Sequence, residues 1–231
     1  MKRFKLYLCI AIIFVIILCL IFYLNNLKLL KVAILDTGVN SSSVESKVIS
    51  KEFVKDSKKV NKHGDDIAKI VESQNNIVIY DAKVLNSNGL GTVGDTIAGI
   101  DWAIKNKVNV INMSYGFTHD YKSLHNKIKE ANSRGIIVLA ANGNNIFGQK
   151  EYPASYHEVI SIGVLKNKHN KSIYNSNDNA DLYIFLNNES EKSINNTSEA
   201  TALATNRLVK NYKIGLRNVD KKEVVSIIKK E

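Results

Sequence analysis

The sequence predicts an α/β fold: a doubly wound, mostly parallel sheet with helices on both faces, preceded by one N-terminal transmembrane helix. From Lys31 onward, short runs of apolar and β-branched residues alternate with longer amphipathic stretches. The short runs are apolar on both faces, as strands must be when helices cover both sides of a sheet. A separate uncharged run predicts the membrane helix. We therefore expect a basic N-terminus at 1–5, an anchor at 6–27 and one domain at 31–231.

The anchor is predicted from "LYLCIAIIFVIILCLIFYLNNL" at 6–27. These 22 residues carry no charge, and a hydrocarbon core of about 30 Å needs about 20 apolar residues to span it. A cleavable signal has a shorter apolar region and a small-residue cleavage site, and neither precedes position 31. Lys2, Arg3 and Lys5 favour an inside N-terminus. We expect a bacterial single-pass protein of the cell membrane, with its domain outside the cytoplasm.

Strands and helices alternate after the anchor. The predicted strands, rich in β-branched residues, are 31–36, 76–85, 108–114, 136–141 and 159–165. The predicted helices, with a longer apolar period, are 64–73, 93–107, 121–134, 198–211 and 219–231. Thr92 and Asp95 predict a capping box for the second helix, and Asp220 with Glu223 predicts an N-cap pair for the last. Ligands bind beyond the carboxyl ends of strands in such sheets, and Asp36 lies at one of these ends.

The charge pattern argues against nucleic-acid binding. The net charge is +10, but the 32 Lys and Arg residues are scattered among 22 Asp and Glu residues, and no basic helix or RNA-binding aromatic motif occurs. The segment 51–62 is interpreted as a solvated loop. Cys9 and Cys19 both lie inside the anchor, so the domain has no disulfide to form. We expect a monomer.

Four short segments carry candidate functional residues, and each has an ordinary structural explanation when it is taken alone. "VAILDTGVN" contains Asp36 in a sequence typical of a turn. "NKHGDDIAKIV" places His63 at a helix start, and "VLAANGNN" ends a strand in a loop with Asn142 and Asn144. "NNTSEATALATNRLV" places Ser198 where an N-cap serine would stand.

Together, these segments resemble the subtilases, the subtilisin-like serine peptidases, over nearly all of 31–210. "VAILDTGV" is similar to the family's aspartate motif, "HGDDIA" to its histidine motif and "NTSEATA" to its serine motif. The linking segments 91–116 and 152–165 resemble the family as well. The resemblance implies a catalytic triad of Asp36, His63 and Ser198 in the chain order of subtilisin.

The chemistry of acyl transfer needs these residue types. A serine hydroxyl is a weak nucleophile at neutral pH, so a base must take its proton as it attacks a carbonyl. His63 would be that base and then the acid that protonates the leaving amine, while Asp36 would orient the imidazole and stabilise its charged form. Ser198 at a helix N-terminus would gain from backbone N–H groups that favour developing negative charge.

The resemblance also implies an oxyanion donor and a substrate strand. The family reads Ala-Ala-Gly-Asn after the relevant strand, so Asn144, directly after Gly143, is chosen over Asn142 as the donor. Ser114, Tyr115 and Gly116 match the strand that pairs with the extended substrate. Gly89 and Gly91, the two glycines of "SNGLG", are expected to form the opposite wall of the cleft.

Several positions depart from the family pattern. Asn196 replaces the glycine before Thr-Ser, and Asn is a residue that tolerates a left-handed turn. Glu199 replaces an apolar residue after the serine, where it would disfavour the oxyanion or favour basic substrates. Ala202 replaces proline, and Asp65 stands where the family has threonine. The segment between 27 and Asp36 is too short for the family's folding prodomain, so we expect none.

These observations predict a serine endopeptidase that carries out limited processing of a peptide or protein at the membrane. The alternative is a pseudoprotease that keeps the fold to bind peptides or regulate a partner, as the departures at 196, 199 and 202 suggest. An aspartic peptidase is disfavoured because "ILDTG" has no second copy and the chain shows long helical periods. A nucleotide-binding domain is disfavoured because "GLGTVG" lacks the full glycine spacing. No cofactor is expected; the resemblance allows calcium, but no ligand set is found.

Overall fold

The structure, a computed structural model, describes most of the domain and part of the N-terminal run. The described residues are 7, 12–20, 29–55, 61–72, 77–143, 149–165, 175, 180–185, 196–212 and 220–229. Residues 12–20 are helical and exposed. In these described stretches, no helix combines the length and the apolar character that crossing a membrane requires. Most of the predicted anchor at 6–27 lies outside them, so the anchor stays a prediction.

The domain is built on one parallel sheet of seven strands. In chain order the strands are β1 Leu30–Asp36, β2 Lys47–Glu52, β3 Ile77–Lys83, β4 Val110–Met113, β5 Ile137–Ala141, β6 Ile160–Val164 and β7 Leu182–Ile184. Their order across the sheet is β2-β3-β1-β4-β5-β6-β7, and every paired neighbour is parallel. The predicted parallel α/β sheet is confirmed.

Helices cover both faces of the sheet, as predicted. They are α1 His63–Glu72, α2 Val93–Lys105, α3 Lys122–Ser133, α4 Thr197–Asn211 and α5 Lys221–Ile228. One apolar core joins α1, α4 and α5 to the sheet, and a second joins α2 and α3 to its other face. Successive β1 side chains alternate between the two cores: Val32 and Ile34 face the first, Ala33 and Leu35 the second. All four are fully buried, which is why β1 is apolar throughout.

Two helix caps match their predictions. The Thr92 hydroxyl accepts a hydrogen bond from Asp95 N at 3.1 Å, and Asp95 Oδ2 accepts from Thr92 N at 3.1 Å, which completes the capping box of α2. Asp220 is the N-cap of α5, where its side chain accepts from Lys222 N. Both caps were readable from sequence because a cap involves residues only two or three positions apart.

Two strands were not predicted. The interpretation of 51–62 as a solvated loop is wrong at its start, because Lys51 and Glu52 end strand β2. Strand β7, at Leu182–Ile184, lies in a segment rich in Asn and Ser for which no strand was predicted. Both strands lie at the edges of the sheet, where charged or short strands are common because an edge must not invite further pairing. Neither gives the apolar pattern that marked the central strands.

The sheet topology itself creates a binding crevice. From β1 the chain runs outward to β2 and β3 on one side, and from β4 it continues on the other side. The chain therefore leaves the neighbouring strands β1 and β4 towards opposite sides of the sheet. A crevice opens beyond the carboxyl ends of two such strands. Asp36 ends β1, and Ser114 follows β4.

Candidate active site

Asp36 is held at the end of β1 by its neighbours in the sheet. Its side chain is fully buried. Its backbone oxygen accepts hydrogen bonds from Val84 N at 3.0 Å and Leu85 N at 3.1 Å, and its Oδ1 accepts from Thr37 N at 2.7 Å. These contacts fix the position of the carboxylate, which therefore does not depend on the conformation of the loop that follows.

His63 begins helix α1 and contacts Asp36 directly. Its Nδ1 lies 2.8 Å from Asp36 Oδ1, and its side chain is 39% exposed. The hydrogen bond with Asp36 raises the pKa of His63 above its usual value; burial acts in the opposite direction, and the charges of Asp36, Asp66 and Glu199 raise it further. The imidazole is thus anchored through one ring nitrogen, which leaves the other for chemistry.

The start of α1 is docked against the loop after β1. Gly64 N donates to Thr37 Oγ1 at 3.0 Å, and a Cβ at Gly64 would collide with the carbonyl oxygen of Gly38. Asp65 Oδ1 accepts from Asn40 N at 2.7 Å. The carboxylate at 65, where the family has threonine, therefore ties α1 to the β1 loop and helps to bring His63 to Asp36.

Ser198 lies in the first turn of α4, which packs behind the sheet. Its side chain is buried, and its Oγ donates to Ser114 O at 2.9 Å. The Ser114 hydroxyl in turn donates to Ser198 O at 3.2 Å. No hydrogen bond joins Ser198 Oγ to His63 in the described part of the chain. Asp36 and His63 are thus paired in the structure, while the Ser198 hydroxyl is hydrogen-bonded to Ser114, the residue that follows β4.

A buried polar network behind Ser198 was not foreseen from sequence. Asn112 Nδ2 donates to Ser114 Oγ at 3.0 Å, and Thr205 Oγ1 lies 2.9 Å from Asn112 Oδ1. Asn112 and Thr205 are both fully buried. The network fixes Ser114, which donates one hydrogen bond to Ser198 and accepts another from it. The amide of Asn112 in the predicted strand "VNVINMS" was the available sequence signal, because a buried amide needs partners.

Asn196 and Ala202 are accommodated without strain. Asn196 has φ −134° and ψ 159°, so its backbone is extended and does not use the left-handed conformation that asparagine tolerates. Its side chain accepts from Glu199 N at 2.9 Å and is the N-cap of α4. The helix start is therefore set by the residue that replaces the family's glycine. Ala202 is fully buried within an unbroken helix.

Glu199 follows Ser198 in the chain, and its charge acts on the candidate base, His63. Burial raises the pKa of the Glu199 carboxyl, the charge of His63 lowers it and the charge of Asp66 raises it. The charges of Glu199 and His63 thus act on each other's pKa. Helices α1 and α4 also share one apolar core.

The predicted substrate strand, residues 114–116, follows β4 at the crevice. The Tyr115 hydroxyl lies 2.9 Å from Thr96 Oγ1, and burial raises the pKa of Tyr115. Gly116 lies against Glu151, and the next residue, Phe117, forms an antiparallel bridge with Tyr152. Gly89 and Gly91 lie between β3 and α2, Gly89 with a φ of +74° that glycine accommodates. Their role as an opposite wall stays a prediction.

The predicted oxyanion donor, Asn144, lies outside the described residues. Asn142 is described: its Oδ1 accepts from Ser161 Oγ at 3.1 Å and its backbone N donates to Ile162 O at 2.9 Å. Gly143 O accepts from Thr197 Oγ1 at 3.2 Å. The segment after β5 is thus joined to the start of α4, and Asn142 is engaged with β6.

Two further features bear on the chemistry. In the described residues, no group of three or more His, Cys, Asp or Glu side chains is arranged to hold a metal ion. A cavity of about 960 Å³ is lined by Leu30, Val108 and Ile136. These residues lie where β1, β4 and β5 begin, so this cavity is at the opposite end of the sheet from Asp36 and Ser114.

Comparison with known proteins gives one family. The sequence profile of the Subtilase family, Peptidase S8, matches residues 28–212. Subtilisin DY of Bacillus licheniformis is 32% identical over 164 residues, which cover 63% of this chain and 60% of that protein. An intracellular serine protease of Paenibacillus polymyxa is 34% identical over 178 residues, covering 66% and 55%. The minor extracellular protease Epr of Bacillus subtilis is 31% identical over 155 residues, covering 61% and 24%. The matched region thus spans between a quarter and three fifths of these relatives.

Proposed function

Because the chain belongs to the subtilase family, we propose that it is a serine endopeptidase that hydrolyses peptide bonds with Asp36, His63 and Ser198. The observation that carries the proposal is the 2.8 Å contact between His63 Nδ1 and the fully buried Asp36 Oδ1. A buried carboxylate bonded to one imidazole nitrogen holds the ring in the tautomer that exposes a basic second nitrogen. Ser198 lies in the first turn of the neighbouring helix.

The reaction begins when the Ser198 hydroxyl turns from Ser114 O to His63 Nε2. The oxygen then attacks the scissile carbonyl carbon, and its proton passes to Nε2. The resulting imidazolium is stabilised by Asp36. Collapse of the tetrahedral intermediate breaks the C–N bond, and Nε2 gives the proton to the leaving amine. Water, deprotonated by the same nitrogen, then attacks the acyl carbon; the ester C–O bond to Ser198 breaks, Nε2 returns the proton to Ser198 Oγ, and the acyl half leaves as a carboxylic acid.

The developing oxyanion needs fixed donors. We assign this role to the Ser198 backbone N–H and the Asn144 side chain. One such amide is worth about 3–4 kcal/mol, a magnitude measured in subtilisin itself. Residues 114–116 would pair with the extended substrate as an added strand. Asn142 is buried and its Oδ1 is bonded to Ser161 on β6, and this position favours Asn144 as the donor.

A fluorophosphonate probe tests the proposal, because it reacts with an activated serine. We expect the full-length chain to be labelled and the Ser198→Ala variant to remain unlabelled. Asp36→Asn should slow the labelling by roughly 10³–10⁴-fold, as expected when the imidazole loses its orienting carboxylate. Ser46→Ala, a serine change in the loop before β2, is the matched control and should label like the parent chain.

The pseudoprotease alternative has one specific observation in its favour. The Ser198 hydroxyl donates to Ser114 O at 2.9 Å rather than to His63. If this arrangement is permanent, the serine is not activated. Folded protein that takes up no probe and cleaves no peptide would establish this alternative and remove the peptidase proposal.

We further propose that residues 6–27 anchor the enzyme in the cell membrane with the domain outside, where it carries out limited processing of peptides or proteins. The support is the uncharged run of 22 residues preceded by three basic ones. Digestion of the domain by protease added to intact cells would agree with this orientation. Digestion only after lysis would contradict it.

A further inference from the structure

Glu151 lies against the proposed substrate strand. A Cβ placed at Gly116 would lie 2.7 Å from Glu151 Oε2 and 3.0 Å from Glu151 Cβ. Phe117 N donates to Tyr152 O at 2.7 Å, and Tyr152 N donates to Phe117 O at 2.8 Å. These bonds hold the 151–152 segment alongside the strand. Glycine at 116 therefore leaves room for a carboxylate at the surface of this strand, and a larger residue would displace it.

The same strand begins at Ser114, next to the proposed nucleophile. Ser114 O accepts the hydrogen bond from Ser198 Oγ at 2.9 Å. Gly116 is only two residues further on, and two residues of extended chain span at most about 7 Å. A substrate side chain next to the scissile bond is long enough to cover that distance if it belongs to lysine or arginine.

The chemistry decides which half of the substrate meets Glu151. The acyl half stays on Ser198 as the acyl-enzyme and lies along residues 114–116. The amine half leaves past His63, which protonates it. Glu151 stands at the strand, so it faces the acyl half. A half-buried carboxylate at this position attracts a cationic side chain and disfavours an anionic one.

We propose that Glu151 makes this enzyme selective for lysine or arginine immediately before the scissile bond. The inference rests on the proposed peptidase function, since only a substrate bound along 114–116 brings that side chain to Glu151. Arginine can form two parallel hydrogen bonds with the carboxylate and lysine a single ion pair. The selectivity is a property of position 151, where the sequence "KEYPAS" gave no signal.

Matched fluorogenic peptides test this inference on the full-length chain. They differ only in the residue before the scissile bond, which is arginine, glutamine or glutamate. We expect kcat/KM to favour arginine over glutamine by at least about tenfold. Glu151→Gln should bring this ratio close to one. Glu151→Lys should reverse the order of arginine and glutamate. Glu223→Gln removes the same charge from α5 and should leave the ratio unchanged.

Probe labelling of Ser198, measured alongside, separates the two proposals. Labelled protein that cleaves the glutamine peptide as well as the arginine peptide overturns the selectivity and leaves the peptidase intact. An arginine preference that survives in both Glu151 variants also overturns it. Absence of both labelling and hydrolysis overturns the peptidase function and the selectivity with it.

Discussion

At the residue scale, three carboxylates raise the pKa of His63 by different means. Asp36 acts first through its hydrogen bond, burial of the ring opposes it, and Asp36, Asp66 and Glu199 add their charges. Of these three carboxylates, only Asp36 is hydrogen-bonded to the imidazole in the described structure. Asp66 and Glu199 therefore raise the pKa of His63 through their charges alone and do not orient its ring.

Replacing Glu199 by glutamine should move the acidic limb of the kcat/KM profile to lower pH. The Glu199 charge favours protonated His63, and the reaction needs the neutral imidazole, so removal of that charge frees the base at lower pH. Rates of an uncharged peptide between pH 4 and pH 8 measure the shift. Asp66→Asn should act in the same direction. An unchanged limb in both variants would contradict this electrostatic account.

At the element scale, the site depends on where three elements end or begin. Strand β1 ends at Asp36, α1 begins at His63, and α4 begins at Thr197 after the Asn196 cap. A shift of one residue in α4 would turn Ser198 by about 100°, because an α-helix has 3.6 residues per turn. The cap and the buried bond from Thr197 to Gly143 O prevent such a shift.

Helix α2 offers a direct measurement of a cap's contribution in this fold. Thr92→Ala removes the hydroxyl that accepts from Asp95 N, so we expect a loss of about 1 kcal/mol in the free energy of unfolding. Thr92→Ser keeps the oxygen and should lose much less. Urea denaturation measures both. Equal losses in the two variants would show that the methyl group, and not the cap, matters at this position.

At the scale of the whole molecule, the topology concentrates function at one end of the sheet. The central position of β1 places Asp36 between β3 and β4, in a fully buried environment. Asp81 on β3 is nearly fully buried too, and its Oδ1 has no hydrogen-bond partner in the described residues. Such a group lowers the stability of the fold, because a buried charge is poorly solvated.

The buried carboxyl of Asp81 should make global stability depend on pH. Burial raises its pKa from 3.8 to about 6, against hydrogen bonds from Val39 and Ser50 that lower it. The folded chain thus binds this proton more tightly than the unfolded chain, so stability from this group falls as pH rises from about 4 to about 6. Asp81→Asn should therefore stabilise the domain at pH 8 by on the order of 2–3 kcal/mol.

Thermal unfolding at pH 8 and pH 5 tests this expectation. The gain from Asp81→Asn should be large at pH 8 and smaller at pH 5, where the carboxyl in the folded chain is mostly protonated. Glu223→Gln on α5 is again the charge-matched control. Equal gains from Asp81→Asn at both pH values would rule out desolvation of the charged form as the cause.

Features that depend on neighbouring residues in the chain could be predicted before the fold was known. Apolar β-branched runs gave the five central strands, a helical period gave the five helices, and three-residue spacing gave the cap at Thr92. The family could be recognised as well, because the motifs around Asp36, His63 and Ser198 are local patterns.

Features that depend on packing between distant segments became visible only in the folded chain. Examples are the edge strand β2, the contact of Glu151 with Gly116 and the hydrogen bond from Ser198 Oγ to Ser114 O. Another is the extended backbone of Asn196, a residue type that also tolerates a left-handed turn. The physical reason is that parallel strands join residues far apart in sequence, and no local period records which side chains their register brings together.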